Sequence, residues 1–394
     1  MTESVKKKSE RRRAAGVSYG AHALHDGYTD LVYVMLPVWQ AEFGLGFAAL
    51  GALRTVFSGT MAALQVPASM LAERYGAPIV LALGTALAGL GYCVAGLSSG
   101  FVILVAALFI SGLGASTQHP LASSLITRAF PGKQAMKAIG TYNFAGDIGK
   151  MSVPAAGAFL LAVMPWRETV LVLGSIGLIA AVAIFIFIPR LPPASVQDDK
   201  AKRGRGGTSS YGFPLLLSIG VLDSATRMAF LTFLPFVLTA KGGSLQTVGL
   251  ALTLVFAGGA AGKLVCAFIG ARIGAVATVW LTEIVTAVAI LALLPLPLDT
   301  AMFLLPVVGV ALNGTSSVLY GSVPDLVPAS RHARAFGIFY TGTIGAGAIS
   351  PALYGLLGDF VGVQAAMIVI ACAVLLTLPL TIFLRPALAE ARIS

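Results

Sequence analysis

The sequence predicts an all-α membrane protein, with twelve transmembrane helices in two six-helix bundles. Three observations carry this expectation. Of 394 residues, 57% are hydrophobic and 11% charged, with a mean hydropathy of +0.89, whereas a soluble domain carries about 25% charge. Runs such as 101–110, 170–188, 278–298 and 363–384 are almost free of charge, and the longer ones approach the roughly 20 residues that cross a hydrocarbon core. Landmarks in the first half also recur in order in the second.

Hydrophobic runs between charged, Gly or Pro punctuation place helices at about 16–42, 48–74, 77–96, 101–129, 133–164 and 168–188, then at 213–241, 246–272, 275–296, 300–327, 332–359 and 363–385. The expected divisions are a basic tail (1–15), a first bundle (16–188), a linker (189–212), a second bundle (213–385) and a short tail (386–394). The start, MTESVKKKSERRR, lacks a small-residue cleavage site and does not read as a signal peptide. The linker is rich in Pro, Gly, Ser and charge, as a flexible connection should be. Cys93, Cys266 and Cys372 fall in separate apolar runs and read as buried side chains, with no disulfide or metal spacing.

The halves read as copies. Leu36–Pro37 recurs at Leu234–Pro235, and LAERYG (71–76) recurs as IGARIG (269–274), both at an offset of 198. FPGKQAMKAIG (130–140) matches VPASRHARAFG (327–337) at 197, as Pro154 matches Pro351. Six spans per half make the repeats parallel. With the N-terminus inside, twenty Lys/Arg lie on the inner side, Arg167 and Lys241 on the outer side, and four within spans. The positive-inside rule then places both termini in the cytoplasm. The net charge of +10 is thereby a topology signal, and nucleic acid is not an expected partner.

These features resemble the major facilitator superfamily over the whole chain. The loop LAERYGAP is similar to that family's G-x-L-a-D-R-x-G-R-[RK] element. Glu73 replaces its Asp, Arg74 and Gly76 match, and Ala77 and Pro78 stand at positions that are usually basic. GDIGKMSVPAAG (146–157) is similar to the antiporter element, with Val153 where a Gly would precede Pro154. The stretches at 25–45 and 112–125 resemble fosmidomycin-resistance-type efflux proteins. The resemblance implies that helices 1, 4, 7 and 10 line a central cavity. It also implies gating by Glu73, Arg74 and Arg272 at the inner helix ends and by Pro154 and Pro351 within helices.

Charges inside spans stand out, because a carboxylate at mid-membrane costs roughly 2.5–3.5 kcal/mol on insertion scales. His22, Asp26, Asp30 and Tyr33 share one face of helix 1 at spacings of four, four and three. Asn143, Asp147 and Lys150 form a stripe on helix 5, with Arg54 on helix 2. Three acids against two cations leave one acid free to carry a proton, so Asp26, Asp30 and Asp147 are the candidate proton-coupling residues. A purely structural pairing of these charges is the alternative.

Helix 4 adds Gln118 and His119 beside Pro120, which should kink it. In the second half, Asp223 and Arg227 read as a pair, and Glu283 as a packing group. Lys263, Asn313 and Tyr320 join His22, Tyr33, Arg54, His119, Asn143, Lys150 and Arg227 as candidate substrate contacts. Gly112/Gly114, Gly146/Gly149, Gly258/Gly259/Gly262 and Gly342/Gly345/Gly347 read as close helix contacts.

No phosphate loop and no nucleophile–base set is present, so the expectation is not an enzyme. It is a monomeric, multi-pass transporter of the cell inner membrane, without a cofactor and driven by the proton gradient. It would export a small anionic or polar compound of phosphonate-like character. An organic-anion uptake symporter, a divalent-metal transporter using His22, His25 and Asp26, and a receptor or scaffold are the competing readings.

Overall fold

The computed structural model describes residues 3–130, 133–189, 211–328 and 331–393, and these form fifteen α-helices and no strand. They are α1 (Glu3–Phe43), α2 (Phe47–Ala63), α3 (Gln65–Tyr75), α4 (Ala77–Gly96), α5 (Phe101–Ala115), α6 (Gln118–Ala129), α7 (Lys133–Val163) and α8 (Trp166–Phe187). There follow α9 (Gly212–Ala240), α10 (Leu245–Ile273), α11 (Ala275–Leu293), α12 (Leu298–Leu326), α13 (His332–Val361), α14 (Val363–Val374) and α15 (Thr377–Ile393). Most of the expected linker, 190–210, lies outside the described residues.

Three of the expected spans are each divided in two, and each break has the same chemistry. Proline has no N–H and its ring crowds the carbonyl four residues earlier. For Pro67, Pro120 and Pro379 those carbonyls belong to Ala63, Ser116 and Leu375, which sit at the α2/α3, α5/α6 and α14/α15 breaks. The α2/α3 bend is 44°. Sequence reading anticipated only the bend beside His119. Pro154 and Pro351 lie inside continuous helices.

Nine described segments are long and apolar enough to cross a membrane, or ten with α2 and α3 as one bent span. The two that complete the expected twelve are α1 and α7. Both are long, but Asp26, Asp30, Asp147 and Lys150 dilute their apolarity. Phe303 and Phe360, 84% and 86% exposed, are outward groups that suit lipid. Helix α1 begins at Glu3 instead of 16 because KKKSERRR favours helix and no Gly or Pro precedes Gly16. Cys372 is exposed and Cys93 half-buried, so of the three cysteines only Cys266 is buried as expected.

The chain forms two compact units. The first holds α1, α3–α8 and most of α2; the second holds α9–α15 with residues 46–52. Inside the first, α1 packs along α7 and α4 along α8; inside the second, α9 packs along α13 and α10 along α12. The repeat LAERYG/IGARIG is a backbone requirement, since Gly76 and Gly274 hold φ of +90° and +85° between consecutive helices.

Helix pairs touch through glycine. A Cβ on Gly149 would strike the Ala23 carbonyl, one on Gly27 would strike Val153, and one on Gly258 would strike the Pro306 carbonyl. Gly345, expected in such a contact, faces open space.

Candidate functional site

The closeness of α1 and α7 decides what the first unit can do chemically. With no side chains at Gly27, Gly146 and Gly149, the polar stripes of the two helices meet. Asp26 is the centre. Its Oδ2 lies 3.1 Å from His22 Nε2 and 3.4 Å from Lys150 Nζ, and its Oδ1 lies 3.6 Å from His119 Nε2. The His22 contact requires a hydrogen on Nε2, and Nδ1 has no hydrogen-bond partner among the described residues. The neutral Nε2–H ring therefore fits, because a charged one would bury an unpaired donor.

His22 stacks edge-on against Tyr142, with centroids 3.8 Å apart, and Gln118 Nε2 donates to the Tyr142 hydroxyl at 2.9 Å. The α5/α6 break delivers Gln118 and His119 as the first residues of α6. Exposure is graded: the Asp26 side chain is 7% exposed, while Lys150 and His119 are 32% and 41% exposed. A ligand entering this site meets the ammonium and the imidazole before it meets the carboxylate.

One turn further along α1, Asp30 Oδ1 lies 3.9 Å from Arg54 Nη2, which also donates to the Tyr33 hydroxyl at 2.9 Å. The guanidinium carbon sits 4.5 Å from the Tyr33 ring centroid, a cation–π contact. Asp147 is buried one turn before Lys150, and the ammonium feels Asp26, Asp30 and Asp147 together. The first unit thus gathers His22, Asp26, Asp30, Tyr33, Arg54, His119, Asp147 and Lys150.

Two expected members behave differently. Asn143 is exposed on α7. His25, invoked for a metal, turns to α4, where its Nε2 lies 2.9 Å from Thr85 Oγ1. Neighbouring helical residues point about 100° apart, so His25 and Asp26 cannot serve one centre. The three metal-capable groups brought together are instead His22, Asp26 and His119, with donor atoms within 4.8 Å of one another. Tyr142 was missed because it lies off the helical face that Asn143, Asp147 and Lys150 share.

In the second unit the candidates have separate neighbours. Arg227 Nη2 lies 3.8 Å from Asp223 Oδ2. Asn313 caps back to the Gly309 carbonyl and packs on Gly259, and Lys263 is half-buried on α10. Tyr320 stacks with Phe339 and Tyr340, its hydroxyl 3.3 Å from Thr343. Of the gating candidates, Glu73, Arg74 and Arg272 are exposed, Arg74 lying over the Tyr75 ring at 5.3 Å, and Pro154 and Pro351 are buried.

Residues 19–219 and 216–393 match the family model described as Major Facilitator Superfamily. The chain is 24% identical over 376 residues to the fosmidomycin resistance protein of Escherichia coli, covering 92% of this chain and 90% of that one. It is also 24% identical over 372 residues to the probable 4-methylmuconolactone transporter of Cupriavidus pinatubonensis, covering 91% and 86%. An uncharacterized MFS-type transporter of Mycobacterium tuberculosis is 28% identical over 193 residues, but these are 46% of this chain and 33% of that one. Among solved structures, the inward-facing, occupied bacterial homologue of the human lysosomal transporter Spinster superposes with a TM-score of 0.74 at 17% identity, covering 98% and 96%. A nucleoside transporter superposes with 0.75 at 14%, covering 95% and 99%. At such identities these two structures speak for the fold alone.

Proposed function

Since the chain belongs to the major facilitator superfamily and is a multi-pass membrane transporter, we propose that it is a proton-coupled transporter of a small organic anion. The observation that carries this reading is the buried Asp26 carboxylate shared by Lys150, His22 and His119. A proton arriving on Asp26 cancels the charge that holds Lys150. The freed ammonium, already the more exposed partner, then receives an anionic group, with His119 beside it. Loss of the proton restores the Asp26–Lys150 pair and expels the anion. The deprotonated carboxylate and the substrate thus compete for one cation, so proton and anion bind together and leave together, which is the linkage of a symporter.

Asp30, paired with Arg54, and Asp147 are further carboxylates through which the proton can pass. The fosmidomycin resistance protein and the probable 4-methylmuconolactone transporter among the relatives support a small organic substrate, and the positive-inside count supports cytoplasmic termini. The energy source is the proton gradient of the inner membrane, and no cofactor is needed.

The test is flux in proteoliposomes across a panel of phosphonates and carboxylates, with and without an imposed pH gradient. Asp26→Asn should keep binding and lose pH-driven flux, because the amide imitates the protonated acid but releases nothing. Wild-type coupled flux in Asp26→Asn, Asp30→Asn and Asp147→Asn alike would overturn the proposal. A second reading, a divalent cation as cargo, rests on the His22–Asp26–His119 cluster. The Lys150 ammonium on the same carboxylate opposes it, and titration of the purified protein with Zn²⁺ or Ni²⁺ separates the two.

A further inference from the structure

The second unit buries a carboxyl group that the Asp26 cluster does not involve. Glu283 on α11 is 1% exposed and Asp223 on α9 is 4% exposed. The two carboxyl groups act on each other, and the cation acting on both is Arg227, whose Nη2 is 3.8 Å from Asp223 Oδ2. Of the other elements packed on α11, α12 brings Thr315 to the carboxyl, and the one ionisable side chain of α14 is the exposed Cys372. Arg272 of α10 and Arg385 of α15 are exposed, and Lys263 of α10 is half-buried. Two carboxyls and one guanidinium leave a charge of −1 if both acids ionise, and such a charge has no compensation in a buried site.

Hydrogen-bond direction is a second, independent observation. Thr282 donates its only hydroxyl hydrogen to the Thr278 carbonyl at 2.9 Å, and Thr315 donates its own to Thr282 Oγ1 at 2.7 Å. Thr315 lies beside the Glu283 carboxyl, and with its hydrogen given to Thr282 it has only a lone pair to offer that group. A carboxylate has no hydrogen to give it, but a carboxylic acid does. Glu283 Oε1 has no hydrogen-bond partner among the described residues, a state far less costly for a neutral C=O than for half of a carboxylate.

The repeat sharpens the point. At the offset of 198, Asp223, Glu283 and Thr315 correspond to His25, Thr85 and Thr117. In the first unit the equivalent contact is the His25–Thr85 hydrogen bond, which involves no acid. The second unit puts two acids in the same place.

We propose that Glu283 is a proton-binding site separate from the Asp26 cluster, occupied while Arg227 pairs with Asp223 and emptied when Arg227 turns to Glu283. In the occupied state the Glu283 O–H donates to Thr315. On emptying, that O–H bond breaks, its electron pair stays on the carboxylate, and the proton leaves to water. Asp223, released by the guanidinium, takes a proton in turn, so one proton and one cation always serve two carboxyls. The Arg227 side chain, 17% exposed, is where water reaches the group.

Infrared spectroscopy of the full chain in lipid nanodiscs at neutral pH tests this. The wild type should show the C=O stretch of a protonated carboxyl that disappears in Glu283→Gln. The amide keeps a donor for Thr315, so the variant should fold and melt like the wild type. Asp223→Asn leaves Arg227 only Glu283 to pair with, and the Glu283 band should vanish although the residue is intact. A wild-type spectrum identical to that of Glu283→Gln in this region would overturn the site. An undiminished band in Asp223→Asn would overturn its control by Arg227. Because each comparison leaves Asp26 unchanged, failure here is distinguishable from failure of the proton-coupling reading at Asp26.

Discussion

Replacing Lys150 by Met tests whether Asp26 and Lys150 hold one charge between them. Their atoms are 3.4 Å apart. With an effective dielectric constant of about 20, Coulomb's law gives about 5 kcal/mol at that distance. Lys150 is 32% exposed, so water and salt screen the pair, and about 2 kcal/mol is the expected coupling. Lys150→Met alone strands a buried carboxylate. Breaking a buried pair costs about 3–5 kcal/mol, less here because His22 still contacts Asp26. In Lys150→Met/Asp26→Asn the stranded charge is gone, and most of the lost stability should return. The assay is a double-mutant cycle on unfolding free energies from SDS titration in mixed micelles. A coupling below about 0.5 kcal/mol, within ordinary additivity, would show that the two groups do not share a charge. The exchange of carboxylate for substrate anion at Lys150 would then fail with it.

Other outcomes follow from single contacts. Gly149→Val should drive α1 from α7 at the Ala23 carbonyl and abolish both assembly and flux. Gly140→Ala, with nothing within 4 Å of its new Cβ, should be neutral or stabilise by up to about 1 kcal/mol; expression and melting of the two variants check this. Arg54→Lys should lower thermal stability and slow flux, since an ammonium cannot both lie over the Tyr33 ring as a planar fork and reach Asp30. Arg167→Ala breaks an exposed pair with Glu42 of 2.7 Å that solvent screens, and it should change the melting temperature only slightly. If it unfolded the protein, its contact with the Ser98 carbonyl would be the larger part of its role.

Composition and spacing made the membrane-spanning helical architecture legible, because lipid imposes a long apolar run on every span whatever its neighbours. The duplicated landmarks were legible too, and two of them are glycines with positive φ, a local demand that sequence records directly. The face shared by His22, Asp26, Asp30 and Tyr33 follows from helical periodicity within one segment. Which cation meets which acid did not follow, because that depends on how closely α1 and α7 approach, and thus on atoms missing from Gly27, Gly146 and Gly149. The same holds for His25, which chemistry ranks with His22 and packing sends to Thr85, and for Tyr142, which matters only through its place against His22. Glu283 shows the limit best. In the sequence it is a lone acid in an apolar run, and only tertiary structure sets it beside Asp223, Arg227 and a threonine whose hydrogen is already committed. Short-range preferences are written along the chain; the partner of a buried charge is written in the packing, where distance and direction of a hydrogen decide it.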